Sequence, residues 1–176
     1  MTFFEFILQD WDANHGNAKG RFILLLFRLA NFCSTRKIYY YFGFLYLLFY
    51  RVLVEFLFSI EIPWNVKIGR GLSLFHGQAL VMNNQVVIGE NCTLRHSTTI
   101  GNKQSKEGGF TASPVIGNNV DIGSNVCIIG NILIGDNAMI GCGAVVVKNV
   151  PSDSVAVGNP TVIKLKDQDK YQYTYE

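Results

Sequence analysis

Two hydrophobic patterns divide the chain. From residue 61 onward aliphatic residues return every six positions: Ile68, Leu74 and Leu80, then Ile88, Leu94 and Ile100 after a two-residue insertion. After ten more inserted residues the series resumes as Ile116, Ile122, Ile128, Ile134, Ile140 and Val146. A period of six fits neither a 3.6-residue helix nor a simple alternating strand. It fits a parallel β-helix in which each hexad makes one short strand and one turn, with the aliphatic side chain pointing inward. Three hexads closing one coil predict a solenoid of about four or more coils. Ile-Gly recurs throughout, and the glycine is read as the residue that permits a tight corner. The second insertion lies in residues 102–114, polar and Gly-rich, and predicts a protruding loop.

The first 60 residues follow a different pattern. Residues 20–31 (GRFILLLFRLAN) and 37–60 read as two helices, apolar nearly all round, so both need something to bury against. Residues 33–36 make the turn between them, and residues 10–17 form a polar, turn-rich segment ahead of them. The predicted organisation is a helical segment over 1–60, a β-helix over 61–165 and a tail over 166–176 that lacks apolar periodicity. Composition sharpens this division: 11 of 13 Phe lie in residues 1–60 and 14 of 17 Gly in residues 61–160.

The uncharged run 38–50 is shorter than the roughly 20 residues a membrane span needs. Extending it takes in Arg51 and Glu55, spaced to pair on a helix. A helical cap packed on protein, or a helix touching a membrane surface, is therefore expected rather than a span. A net charge of +2 argues against a nucleic-acid partner. Four cysteines without a C-x-x-C pair argue against a zinc ribbon and for a reducing compartment. The opening residues, with Glu5, Asp10 and Asp12, lack a basic secretory leader, so the expected location is cytoplasmic, with peripheral contact at the membrane's inner face.

Two of the three histidines fall in the repeat. His76 and His96 each sit two places after an inward leucine and are 20 residues apart, one coil plus the two-residue insertion. They should stack on adjacent coils about 5 Å apart, in a column continued by Ser124 and Cys142. Imidazole changes charge near neutral pH, so such a column can floor a reactive cleft, or hold two ordinary polar residues at coil corners.

The hexads, followed by Val147-Lys148-Asn149-Val150-Pro151 and Val157-Gly158-Asn159-Pro160, resemble the bacterial hexapeptide-repeat acyltransferases over residues 5–165. Within that group the chain is similar to serine acetyltransferases. It looks closer still to the polysaccharide O-acetyltransferases of colanic acid and capsule synthesis. Those share the D-W-x-A-N-x-G-N-x-K-G-R stretch beginning at Asp10 and L-R-H-x-x-T-I-G-N beginning at Leu94.

The resemblance implies a left-handed parallel β-helix, acetyl-CoA as co-substrate and a homotrimer with acetyl-CoA between two subunits. The N-terminal helices are left with two alternatives, contact with a membrane or with another trimer. It assigns His76 as the general base that takes the acceptor's proton, with Glu61, 15 positions upstream, orienting the ring. By the same resemblance His96 lines the acceptor pocket or stabilises the tetrahedral intermediate, and Asp10 keeps an acidic acceptor-site position. Ser124, Cys142 (where Ala is usual), Val147, Lys148 and Lys164 match positions that contact coenzyme A.

The chain departs from serine acetyltransferases in two places. Phe75 stands where they carry an acidic residue, and Ala112-Ser113-Pro114 where they carry Arg-His-Pro. Those lost groups grip an amino acid's charges, so a sugar acceptor is expected, with L-serine the alternative. A zinc hydratase on the same solenoid needs three histidines, and the repeat has two; no metal is expected. A non-catalytic scaffold is the remaining alternative.

Overall fold

The computed structural model describes residues 1–106 and 108–166; the tail beyond Lys166 lies outside the described residues. Three α-helices lead in: α1 (Phe3–Ile7), α2 (Ala18–Ser34) and α3 (Lys37–Tyr50). Helix α2 starts two residues before the predicted 20–31 segment because the Asn17 side chain caps it, accepting from the Gly20 amide at 2.9 Å. The predicted 37–60 helix is α3 continued by a π-helical turn, Arg51–Leu57. It stops before Ile60, which is fully buried and pairs with Leu80 in the solenoid. Together they form a helix of 21 residues, Lys37–Leu57, long and apolar enough to cross a membrane. The 13-residue run alone did not show that length.

Five coils follow. The first holds β1 (Ile60–Glu61), β2 (Lys67–Ile68) and β3 (Ser73–Phe75). The second holds β4 (Leu80–Met82), β5 (Val87–Ile88) and β6 (Thr93–Arg95). The third holds β7 (Thr99–Gly101), β8 (Val115–Ile116) and β9 (Asp121–Ile122). The fourth holds β10 (Cys127–Ile129), β11 (Leu133–Ile134) and β12 (Met139–Ile140). The fifth holds β13 (Val145–Val146), a single bridge from Val150 to Ile134, and β14 (Ser154–Val157). Strand β15 (Val162–Leu165) then folds back antiparallel on β14.

Equivalent strands of successive coils pair in parallel to make three faces, β1-β4-β7-β10-β13, β2-β5-β8-β11 and β3-β6-β9-β12-β14, the last closed by β15. Inward rows such as Leu74, Leu94, Ile122, Ile140 and Ala156 are each at most 1% exposed and stack as one continuous core. The 102–114 insertion leaves between β7 and β8 as a narrow loop, with Gln104 bridged to Phe110 and the Thr111 amide bonded to the Lys103 carbonyl at 2.8 Å.

The repeat glycines act differently from the expectation. None of the Ile-Gly glycines has positive φ; the left-handed corners belong instead to residues such as Asn91, Asn119, Asn125, Asn137 and Asp153, types that tolerate this region. The glycines serve coil-to-coil contact. A Cβ on Gly69 would lie 2.6 Å from the Gly89 carbonyl carbon, and one on Gly89 2.5 Å from the Gly117 oxygen. Gly101, beside the loop, is the exception, with its nearest neighbour at 3.8 Å.

The start of a β-helix leaves one unpaired strand edge per face, and polar residues ahead of and within the helices bond to backbone groups of the first coil. Asp10 accepts the Leu72 amide at 2.9 Å, while Asn14 donates to the Leu72 carbonyl at 2.8 Å and accepts the Leu74 amide at 3.0 Å. Asn17 donates to the Leu74 carbonyl at 2.8 Å. Three side chains thus stand in for a neighbouring strand along β3. Arg28 caps β2 through the Ile68 and Gly69 carbonyls, and Asn31 and Tyr50 bond the Trp64 and Ile62 carbonyls. Gly20 is needed where α2 crosses this ladder, since a Cβ there would lie 2.5 Å from both Asn14 and Asn17 side chains.

Two outcomes follow from this packing. Gly89→Ala should lower unfolding free energy by about 1–3 kcal/mol in urea titrations, whereas Gly101→Ala should stay within roughly 0.5 kcal/mol. Asp10→Ala strands the buried Arg28 charge and should cost about 3–5 kcal/mol in the same assay.

Candidate active site

The corner after β3 begins the candidate site. Phe75 pairs with Arg95 across β3 and β6, and β9 and β12 continue the register. His76, His96, Ser124 and Cys142, the next positions along, stand in one column on successive coils. The His76 and His96 ring centroids are 5.7 Å apart at an interplanar angle of 77°. The Ser124 hydroxyl donates to the Cys142 sulfur at 3.5 Å.

His76 has left-handed backbone, φ +66°, followed by Gly77 at +73°. Other coil corners use this conformation too, Ala79, Asn91 and Ser97 among them, but His76 is the one that places an imidazole there. It leaves the ring exposed at the corner. His96, one coil on, has ordinary φ and is half-buried; its Nδ1 is buried with no hydrogen-bond partner among the described residues. Leaving a buried polar atom unsatisfied costs about 1–3 kcal/mol, so this nitrogen is a hydrogen-bonding group still available to a partner.

Arg95 was not singled out from the sequence. Its guanidinium binds the Asp121 carboxylate and the Ile122 carbonyl, the latter at 2.9 Å, and lies 5.8 Å from the Phe75 ring centroid. The signal available was its place beside His96 and one coil above Phe75; the L-R-H motif used it only as a marker. Phe75, the residue before His76, is 40% exposed and presents a large aromatic surface.

Ser124 shapes the chemistry of Cys142. Its hydroxyl's hydrogen bond is the main influence that pulls the Cys142 thiol below the ordinary cysteine range, with its backbone and the Arg95 charge adding smaller pulls. Burial pushes the thiols of Cys33, Cys92 and Cys127 the other way.

The remaining sequence assignments are dispersed. Asp10 is 3% exposed and binds Arg28 through both carboxylate oxygens, at 2.7 and 3.1 Å, besides the Leu72 amide. These contacts hold it beneath the cap, away from the exposed His76 corner. Glu61 sits on β1, exposed in the outward row shared with Val81 and Thr99. No hydrogen bond joins it to His76 among the described residues. Val147 and Lys148 lie at another corner, after β13, where they line a narrow cavity with Val146, Pro160, Thr161 and Ile163. Lys164 is exposed on β15, paired with Val155. Among the described residues, no group of three metal-binding side chains occurs.

No family model matches the chain. Individual proteins do. It is 36% identical over 163 residues to the Escherichia coli (strain K12) protein assigned to colanic acid biosynthesis as acetyltransferase WcaB, covering 90% of this chain and 99% of that one. It is 34% identical over 149 residues to the serine acetyltransferase of Helicobacter pylori (strain ATCC 700392 / 26695), covering 85% and 83%. Among solved structures, soybean serine acetyltransferase superposes with a TM-score of 0.74 at 29% identity, over 92% of this chain and 69% of that one. The Neisseria gonorrhoeae serine acetyltransferase gives 0.75 at 29% identity, over 96% and 70%. The five-coil solenoid therefore has the left-handed β-helix architecture of these enzymes.

The thiol difference is directly measurable. Iodoacetamide should label Cys142 first among the four cysteines, at a rate that rises with pH through a lower midpoint than those of Cys33, Cys92 and Cys127, read by mass spectrometry of digests.

Proposed function

Because the chain belongs to the hexapeptide-repeat acetyltransferases that include the colanic acid and serine enzymes, we propose that it acetylates a hydroxyl of a cell-surface polysaccharide sugar. Acetyl-CoA is the donor, and the chain works as a homotrimer with the donor bound between two subunits. The carrying observation is the exposed His76 set edge-to-face against His96 at the corner that follows the exposed Phe75.

In this reading a His76 ring nitrogen takes the proton from the acceptor hydroxyl as its oxygen bonds to the thioester carbonyl carbon. The tetrahedral oxyanion is stabilised by donors on the column, His96 among them. The carbon–sulfur bond then breaks, and the proton on His76 passes to the departing thiolate, giving the acetyl ester and free coenzyme A. Glu61 orients His76 once the acceptor is bound; catalytic hydrogen bonds are commonly open in ligand-free enzymes. Ser124 and Cys142 extend the column toward the donor, with Val147, Lys148 and Lys164 supplying contacts and charge for its phosphates.

Two features support a sugar over serine. A zwitterionic amino acid needs fixed charges of both signs, yet Asp10 is consumed by Arg28 and Arg95 by Asp121. The exposed Phe75 offers an apolar face on which a pyranose ring can lie.

His76→Ala should lower kcat by about 10²–10⁴-fold with little change in KM for acetyl-CoA, measured by thiol release; unchanged turnover would remove His76 from the mechanism. Saturating acetyl-CoA should shield Cys142 from iodoacetamide. Robust O-acetylserine formation from L-serine, with no transfer to polysaccharide repeat units, would overturn the sugar assignment.

A further inference from the structure

One surface has no role in this chemistry. Helix α3 and its π-helical extension bury a single stripe, Leu47, Tyr50 and Val54, at most 1% exposed. The opposite side carries Ile38, Phe42, Leu45, Phe49, Val52 and Phe56, between 50% and 86% exposed. Exposure on this scale is what monomeric surfaces avoid.

Three observations identify the occupant. First, the apolar face is wider than a helix–helix seam. The flanking positions Tyr41, Phe44 and Leu48 are also apolar and more than half exposed, where a pairing helix would place charges to set its register. Second, the charge is one-sided: residues 13–54 contain six Lys or Arg and no Asp or Glu. Third, Arg36 and Lys37 sit at the start of α3 next to Tyr39, Tyr40 and Tyr41. Cations beside tyrosines are the arrangement that settles at a headgroup layer.

The helix cannot cross the bilayer while the fold is intact. Tyr50 is fully buried with its hydroxyl donated to the Ile62 carbonyl at 2.7 Å, and Leu47 and Val54 pack in the same core. A spanning helix would have to withdraw all three from the solenoid's capped end.

We propose that α3 lies in the plane of an anionic lipid surface, its exposed apolar face in the acyl boundary and Arg36 and Lys37 against acidic headgroups. The enzyme is thereby held where lipid-anchored glycans are assembled. Binding to lipid is separate from acceptor identity, and the two are tested by separate readouts.

The full chain should co-sediment with phosphatidylglycerol-containing vesicles at low salt and much less with phosphatidylcholine alone. Phe42→Glu with Leu45→Glu should abolish this, while thermal unfolding and acetyl transfer to a soluble acceptor stay as in the wild type. Arg36→Ala and Lys37→Ala, which spare the apolar face, should each weaken binding roughly fivefold. Vesicle binding unaffected by the Phe42/Leu45 pair would overturn the proposal. So would a wild type that ignores vesicles; if the double substitution then also halves the assembly mass in sedimentation, the face is a contact between copies of this chain.

Discussion

A β-helix begins with an exposed strand edge on each of its faces, and the rest of this molecule depends on how those edges are closed. Unpaired edges recruit other strands or water, and the first coil holds both Glu61 and His76. Here an Asp, two Asn and an Arg supply the missing ladder, joined by bonds from Asn31 and Tyr50. The Asp10–Arg28 pair at the centre is buried on both sides. Such a pair contributes little net stability over an apolar substitute; its contribution is geometric, directing three hydrogen bonds at the Leu72 amide and the Ile68 and Gly69 carbonyls.

That closure positions the chemistry. The leucine carbonyl and amide held by Asn14 and Asn17 belong to Leu74, two residues before His76. The tight corner beyond it, with two successive left-handed residues, therefore starts from a pinned strand. Coil stacking then sets His96, Ser124 and Cys142 at the equivalent position of successive coils, each followed by a single left-handed residue. The coil spacing that brings one imidazole against the other also sets Arg95 near Phe75. Neither Arg95 nor Asp10 is free charge in the folded chain: each has a carboxylate or guanidinium partner. The arginine and aspartate near Phe75 are consequently paired with each other, beside an aromatic ring and two imidazoles.

The cap also explains the asymmetry of the chain. A helical plug must be apolar on the side that meets the solenoid, and α2 and one stripe of α3 satisfy this. The second apolar side of α3 satisfies nothing inside the monomer, which is why it calls for a partner outside it.

The sequence alone determined the solenoid, because a six-residue period has one economical three-dimensional solution and its register can be counted. The His76–His96–Ser124–Cys142 column was legible for the same reason: strand stacking converts sequence spacing directly into proximity. The purpose of the repeat glycines was not legible, since a clash with the next coil's backbone and a left-handed corner leave the same residue in the sequence. Nor could spacing say that Asp10 pairs with Arg28, 18 residues on, or that Arg95 meets Asp121. The first arises in the irregular cap, where no period applies; the second joins stacked strands, but the repeat fixes only their register and not which side chains bond. There only the packed chain decides which charges meet and which face of a helix is left uncovered.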